Sequence, residues 1–293
     1  MIPKILVITP TIHIDGVNDI LESFAEVSYL DDPTLQEVLD VVHLYDSIFT
    51  NPNKSKVFLG KDIFDAATNL KCICTASTGT NHIDKEQASL KDIEIISLTE
   101  ERKTINKIGS TAELAFALTL ASIRKIIPSH QGALKGQWDY SKFIGRQMNA
   151  LTVGVIGFGR LGTFYASFFE PFNSKVVVYD PFKKVHDYEQ MNTLEELVSI
   201  SDIISLHVHV NEETKNLVDK DLLSFAKSDL LIVNTSRGEV VNENDLIDFL
   251  KKNKEAKLAT DVLNDEIRNK AASPILNFSK MTEQILVTQH RRY

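Results

Sequence analysis

Three glycines and one aspartate in the middle of the chain have the spacing of a dinucleotide-binding turn. Gly157, Gly159 and Gly162 follow an apolar run at 151–156, and Asp180 closes a second apolar run 18 residues after the last glycine. In such a unit the first glycine permits a tight turn, the second lets the backbone approach a pyrophosphate, and the third lets a helix pack close to the strand. The pattern therefore predicts a phosphate-binding helix that begins at about residue 160.

Asp180 indicates which dinucleotide this turn would take. A carboxylate at the end of the second strand can accept hydrogen bonds from both hydroxyls of the adenosine ribose, and it repels a 2′-phosphate. NAD is therefore favoured over NADP as the cofactor. Lys183 and Lys184 follow closely and keep NADP from being excluded, although two lysines after a turn are more often solvated surface.

Four further stretches carry polar groups where apolar runs end, the position at which parallel sheets bind their ligands. The first offers hydroxyls and backbone N–H groups that could hold a carboxylate, and the second offers an arginine for a bidentate contact. The third carries two carboxylates and the fourth an imidazole. Each has an ordinary alternative as a polar turn, a surface ion pair, a solvated carboxylate or a lone histidine. The stretches are 77–81, 233–238, 261–266 and 287–290.

Two α/β domains are predicted to position these groups. In the second half of the chain, short apolar runs alternate with helix-compatible segments, as in parallel strands that helices cover on both faces. These runs lie at about 151–156, 175–179, 202–206, 229–233, 257–261 and 285–288. They predict one doubly wound parallel sheet of roughly six strands. Looser runs near 4–9, 46–50, 71–75 and 93–97, with a helical piece at 61–69, predict a smaller α/β domain, and residues 110–124 predict an apolar helix between the two.

Composition limits the classes of partner. The 32 basic and 40 acidic residues give a net charge of −8 without a basic block, which argues against nucleic acid or an anionic membrane as partner. No apolar run approaches 18 residues, and the amino terminus reads as a first strand, without the features of a signal peptide. We therefore expect a cytoplasmic protein with a small-molecule ligand.

Several motifs together resemble one family of oxidoreductases. They include 79–84, Ala112-Glu113, 136–138, the glycine turn, 205–208, 234–238 and Asp261-Val262. Glu266 follows Arg237 by 29 residues, as the family's arginine-to-glutamate spacing requires, and His290 matches the histidine of the family's Thr-Pro-His segment. Over residues 40 to 290 the chain is similar to the D-isomer-specific 2-hydroxyacid dehydrogenases, the family of D-3-phosphoglycerate dehydrogenase.

The resemblance implies an NAD-dependent enzyme that interconverts a D-2-hydroxy acid and its 2-keto acid by hydride transfer. His290 would be the acid/base, Glu266 would stabilise its imidazolium form, and Arg237 would anchor the substrate. Substrate contacts would also come from Thr78, Gly79, Thr80 and Asn81. Cofactor contacts would come from Gly157, Gly159, Arg160, Leu161, Gly162, Asp180, His207, Val208, Thr235, Ser236 and Asp261, and no metal is expected.

The resemblance also implies two Rossmann-like domains. Residues 1–100 would form a flavodoxin-like substrate domain, 101–289 the NAD-binding Rossmann domain, and 290–293 a shortened return to the first domain, whose usual C-terminal segment is missing here. Family members usually form homodimers through the NAD-binding domain. The alternative is an NAD-binding regulatory protein of the same fold, similar to the family's co-repressors, or an inactive fragment.

Overall fold

The computed structural model describes residues 2–51, 55, 57–80, 82–99, 101–264 and 273–289. The chain divides into two units, Met1–Ile108 and Gly109–Tyr293. The boundary drawn from the sequence, between residues 100 and 101, lies a few residues before this division.

The first unit contains a parallel five-stranded sheet in its described residues. Its strands are β1 Lys4–Val7, β2 Glu26–Tyr29, β3 Ser47–Thr50, β4 Cys72–Thr75 and β5 Glu94–Ser97. Its helices are α1 Val17–Glu22, α2 Leu35–Val41, α3 Lys61–Ala66, α4 Lys85–Leu90 and α5 Arg102–Ile105. The strand order β2-β1-β3-β4-β5 is that of flavodoxin-like folds, which confirms the predicted fold class. Leu6 and Ile8 enter one core while Ile5 and Val7 enter another, so apolar side chains cover both faces of the sheet.

The second unit contains a parallel sheet of seven described strands. They are β6 Thr152–Ile156, β7 Lys175–Tyr179, β8 Glu189–Gln190, β9 Ile203–Leu206, β10 Leu231–Asn234, β11 Lys257–Thr260 and β12 Ile285–Val287. The helices are α6 Ser110–Ile123, α7 Ile126–Leu134, α8 Arg160–Ser167, α9 Leu194–Ile200, α10 Lys220–Leu223, α11 Glu243–Lys252 and α12 Pro274–Ser279. The order β12-β11-β10-β9-β6-β7-β8 reverses direction at β6, as in a doubly wound Rossmann sheet. This confirms the predicted class.

Two strands differ from the sequence-based expectation. β2 is an edge strand whose four residues are exposed or half-buried, so it lacks the unbroken apolar run that marks a covered strand. β8 has only two residues and extends the far edge of the second sheet. Both are held by backbone pairing with a neighbouring strand, β1 for β2 and β7 for β8, which the sequence of the strand itself does not record.

The apolar helix predicted over 110–124 is α6, and it packs inside the second unit. Ala112, Ala115 and Leu118 are buried, and the helix contacts α8, β10 and β11. Small alanine side chains allow this close approach to the sheet. Within the described residues, no helix combines the length and apolar character needed to cross a bilayer.

Candidate cofactor site

The glycine turn between β6 and α8 is built by close backbone contacts. Gly157 has φ +88°, and a Cβ there would lie 2.8 Å from the carbonyl oxygen of His207. A Cβ on Gly162 would lie 2.1 Å from the carbonyl oxygen of Gly157. Gly159, by contrast, faces open space, with no neighbouring heavy atom within 4 Å of a Cβ placed there. The first and third glycines therefore fit the turn to the protein, and the second leaves room for a ligand.

The start of α8 lies beside this open space and has no side-chain cap. Its N-cap is Gly159. A pyrophosphate fits such a helix end because free N–H groups and the helix dipole both favour an anion. Arg160 is the first residue of α8, and burial lowers the pKa of its guanidinium, while Leu161 packs into the core of the unit.

Asp180 follows β7 and ties the second strand to the glycine turn. Its Oδ2 accepts a hydrogen bond from the backbone N of Phe158 at 2.9 Å. Its Oδ1 accepts from the backbone N of Phe182 and of Lys183, at 2.9 and 3.0 Å. Nζ of Lys183 donates to the carbonyl oxygen of Phe158 at 3.1 Å and lies 4.8 Å from the centre of the Phe158 ring. Asp180 is therefore fixed in orientation, and sequence reasoning missed Phe158 and the packed position of Lys183.

His207 and Val208 follow β9 and form one side of the turn. The Nε2 of His207 lies 2.9 Å from the Ser205 hydroxyl, and its ring centre lies 5.0 Å from that of Tyr165. The Tyr165 hydroxyl lies 2.7 Å from Thr119 on α6. Burial lowers the pKa of His207 to about 3, so this imidazole is neutral near pH 7. Its carbonyl, rather than its ring, faces Gly157.

Asn234, at the end of β10, organises the loop that carries three predicted site residues. Its Oδ1 accepts from the backbone N and the hydroxyl of Ser236, at 3.0 and 2.8 Å, and its Nδ2 donates to the carbonyl of Arg237 at 2.8 Å. The Thr235 hydroxyl is buried and has no hydrogen-bond partner among the described residues, which fits a contact to a bound cofactor. Asp261, at the end of β11, is also buried.

Arg237 lies where the loops after β10 and β11 meet. Its guanidinium donates to the carbonyl of Ser236 at 2.7 Å, and the residue is half-buried. The next residue, Gly238, is so close to the neighbouring loop that a Cβ would lie 2.0 Å from the backbone of Leu263. This contact sets the position of the arginine relative to the end of β11.

Glu243 on α11 is a buried carboxylate that sequence reasoning missed. Its Oε1 accepts from the backbone N of Asn264 at 2.9 Å, and its Oε2 accepts from the Ser273 hydroxyl at 2.9 Å. Asn264 and Ser273 are the described residues on either side of 265–272. Glu243 is the first residue of α11, and acidic residues are common in the first turn of a helix. Its burial, which the sequence does not show, is what distinguishes it.

The predicted substrate loop of the first unit follows β4. Thr78 is exposed, Gly79 and Thr80 are half-buried, and the hydroxyl of Ser77 donates to the carbonyl of Gly79 at 2.6 Å. The Thr75 hydroxyl lies 2.9 Å from that of Ser77 and 3.1 Å from Nε2 of the buried His82. Ser77 begins the polar stretch that the sequence indicates, whereas Thr75 and His82 were not among the predicted site residues.

Three predicted site residues lie outside the described residues: Asn81, Glu266 and His290. Their assigned roles stay predictions.

The chain matches a family and several known proteins. Residues 116–291 match the NAD binding domain of the D-isomer specific 2-hydroxyacid dehydrogenases. The chain is 31% identical to D-3-phosphoglycerate dehydrogenase of Methanocaldococcus jannaschii over 90% of its own length and 49% of that protein. It is 31% identical to glyoxylate reductase of Thermococcus litoralis, over 91% of this chain and 82% of that protein.

The fold is also that of a solved structure. NAD-dependent formate dehydrogenase from Staphylococcus aureus, in complex with NAD, aligns with a TM-score of 0.81 at 27% identity, over 98% of this chain and 88% of that one. The chain thus spans about half the length of the phosphoglycerate dehydrogenase that it matches and most of the two shorter proteins. The protein belongs to the D-isomer specific 2-hydroxyacid dehydrogenase family, and its second unit carries that family's NAD-binding domain.

Proposed function

We propose that this protein is an NAD-dependent oxidoreductase that interconverts a D-2-hydroxy acid and its 2-keto acid. The observation that carries the proposal is the glycine turn, where Gly159 faces open space at an uncapped helix start and Asp180 is held across from it. A cofactor cradle of this kind, in a chain of this family, supports NAD as the bound dinucleotide.

Arg237 is the proposed anchor of the substrate. Oxidation of an alcohol next to a carboxylate needs a cation that binds the carboxylate and polarises the carbonyl oxygen, and a planar guanidinium can do both. The position of Arg237 after β10, at the carboxyl edge of the sheet, supports this role. Backbone N–H groups of residues 78–81 would share in binding the substrate carboxylate.

His290 is the proposed acid/base, with Glu266 as its partner. In the direction of reduction His290 would give a proton to the substrate oxygen, and in oxidation it would take the hydroxyl proton. Glu266 would stabilise the imidazolium that forms. The bound nicotinamide supplies or accepts the hydride, and the protein supplies orientation.

The experiment is NADH oxidation with pyruvate, hydroxypyruvate, glyoxylate, 2-ketoglutarate and phosphohydroxypyruvate in turn. We expect turnover with at least one of them, and we expect His290→Gln to abolish it while NADH affinity is retained. His43→Gln is the control, because His43 is an exposed histidine on the first unit. Full activity of His290→Gln would remove its assigned role. NADH binding without turnover on the whole panel would favour the non-catalytic alternative.

We further propose that two copies of the chain pair through the segment after α6. Apolar side chains there are unusually exposed, with Leu134 75% and Trp138 86% accessible. The exposed set is Ile126, Ile127, Leu134, Trp138, Tyr140 and Ile144. Light scattering should give twice the chain mass, and Trp138→Ser should shift the measured mass toward that of the monomer.

A cytoplasmic location is likewise proposed and is tested by cell fractionation.

A further inference from the structure

A cavity of about 370 Å³ lies in the second unit, away from the glycine turn. It is lined by the end of α6, the start of α7, the start of β11 and the segment that joins α12 to β12. Lys257 and Ile285, the first residues of β11 and β12, both line it. Because the strands of this sheet are parallel, the cavity is at the amino-terminal edge, whereas the glycine turn follows the carboxyl end of β6. Its volume is within the range of about 300–1,000 Å³ that small-molecule sites occupy.

The lining carries a net positive charge, because Lys125, Lys257 and Lys280 face one carboxylate, that of Glu283. Neither Lys125 nor Lys257 forms an ion pair with a carboxylate in the part of the chain that the structure describes. Nζ of Lys257 donates to the Ser122 carbonyl at 3.1 Å, which holds the ammonium group at the wall. Burial lowers the pKa of Lys257, and the charges of Lys125 and Arg146 lower it further, against the opposing effect of Glu255 and Glu283. A half-buried cation of this kind gains from a bound anion.

Ser122 supplies an independent indication of a ligand. It lines the cavity, is 8% exposed, and its hydroxyl is buried without a hydrogen-bond partner among the described residues. Buried polar groups are nearly always paired, so this hydroxyl, on a residue of the cavity lining, is expected to turn toward a bound ligand and donate to it.

We propose that this cavity is a second ligand site, which binds a small organic anion through a carboxylate or phosphate group. The anion accepts hydrogen bonds from the ammonium groups of Lys125 and Lys257 and from the Ser122 hydroxyl. Pro128 and Leu286, which also line the cavity, contact the body of the molecule. The site is separate from the cofactor cradle and does not depend on the proposed dehydrogenase activity.

Equilibrium dialysis and thermal unfolding with inorganic phosphate, malate and citrate test the proposal, with glycerol as the uncharged control and NADH present at saturation. We expect at least one anion to bind and to raise Tm, because a ligand that binds only the folded state stabilises it. Comparison of phosphate with the two carboxylates distinguishes the two kinds of anionic group. Binding is measured without turnover, so a failure here is distinct from a failure of the proposed function.

Substitutions locate the site. Lys257→Gln keeps a donor for the Ser122 carbonyl but removes the charge. Together with Lys125→Gln it should lower the affinity for the anion by about tenfold or more. Ser122→Ala should lower the affinity for the anion by a few-fold without any change of charge. Lys254→Gln, the matched control, removes the charge of an exposed lysine that does not line the cavity and should leave affinity unchanged.

Three results would overturn the proposal. The first is the lack of any anion that binds more tightly than about 10 mM to the folded protein. The second is an equal loss of affinity in Lys254→Gln, which would indicate unspecific charge attraction. The third is a dimer that closes the cavity and excludes the anions, shown by affinity that falls as the protein concentration rises. NADH binding reports that each variant is folded.

Discussion

The loops at 157–162 and 77–82 both follow a strand of a parallel sheet, yet the protein builds them in different ways. In the first, the main chain itself makes the contacts, because a Cβ at Gly162 would lie 2.1 Å from a carbonyl oxygen. In the second, side chains hold the backbone, since the Ser77 hydroxyl donates to the carbonyl of Gly79 at 2.6 Å and Thr75 lies between Ser77 and His82.

The difference determines how each loop responds to mutation. A steric clash with backbone atoms cannot be relieved by rotation of a side chain, so a substitution there lowers the free energy of unfolding by the full cost of the clash. A hydrogen bond of a hydroxyl contributes only about 0.5–1.5 kcal/mol net, and water can replace part of it. A single substitution in the cofactor loop should therefore cost more stability than a single substitution in the substrate loop.

Gly162→Ala should have the largest effect. The added methyl group meets the backbone of Gly157, so we expect a loss of about 3 kcal/mol in the free energy of unfolding, with NADH binding abolished. Urea denaturation and NADH fluorescence measure the two quantities. Wild-type stability in this variant would show that the turn can shift and that the contrast between the loops is wrong.

The pH dependence of His207 should be next in size. The folded state keeps this imidazole neutral, with a pKa of about 3, whereas in the unfolded chain it binds a proton near pH 6.5. Stability is therefore lost as the pH falls below about 6.5, by up to about 1.4 kcal/mol per pH unit and about 2 kcal/mol by pH 5.

His207→Gln should flatten this part of the stability curve. The measurement is the free energy of unfolding at several pH values between 7 and 5 for both proteins. The same substitution at the exposed His43 should leave the slope as in the wild type. Parallel curves for wild type and His207→Gln would refute the prediction.

Gly159→Ala should separate binding from folding. No atom lies within 4 Å of the added Cβ, so the free energy of unfolding should hardly change. The methyl group would occupy the space for the pyrophosphate, and we expect NADH affinity to fall by about tenfold, which corresponds to about 1.4 kcal/mol. Titration of NADH fluorescence tests this, and unchanged affinity would mean that the cofactor does not approach the backbone at Gly159.

Ser77→Ala should have the smallest effect, a loss of about 1 kcal/mol in the free energy of unfolding. The loop then lacks the bond to the Gly79 carbonyl but keeps its backbone shape. Ser89→Ala is the control, because Ser89 is exposed on α4. A loss as large as that of Gly162→Ala would show that the substrate loop is as rigidly built as the cofactor loop.

The cofactor loop could be predicted from the sequence because its determinants are local. Gly157, Gly159 and Gly162 act within one strand, turn and helix, and the strands before and after them are unbroken apolar runs. The supports of the other site residues could not be predicted in this way. Glu243 and the network of Ser205 with Tyr165 join residues from different elements, and each is an ordinary polar side chain in the sequence.

The sequence by itself determined the two α/β sheets, the glycine turn and the position of Asp180, because apolar periodicity and glycine spacing are properties of consecutive residues. Only the tertiary structure decided that the His207 ring is buried and neutral, that Glu243 binds both Asn264 and Ser273, and that Lys257 and Ser122 share a cavity wall. These properties depend on burial and on contacts between residues far apart in the chain, and a linear pattern contains neither.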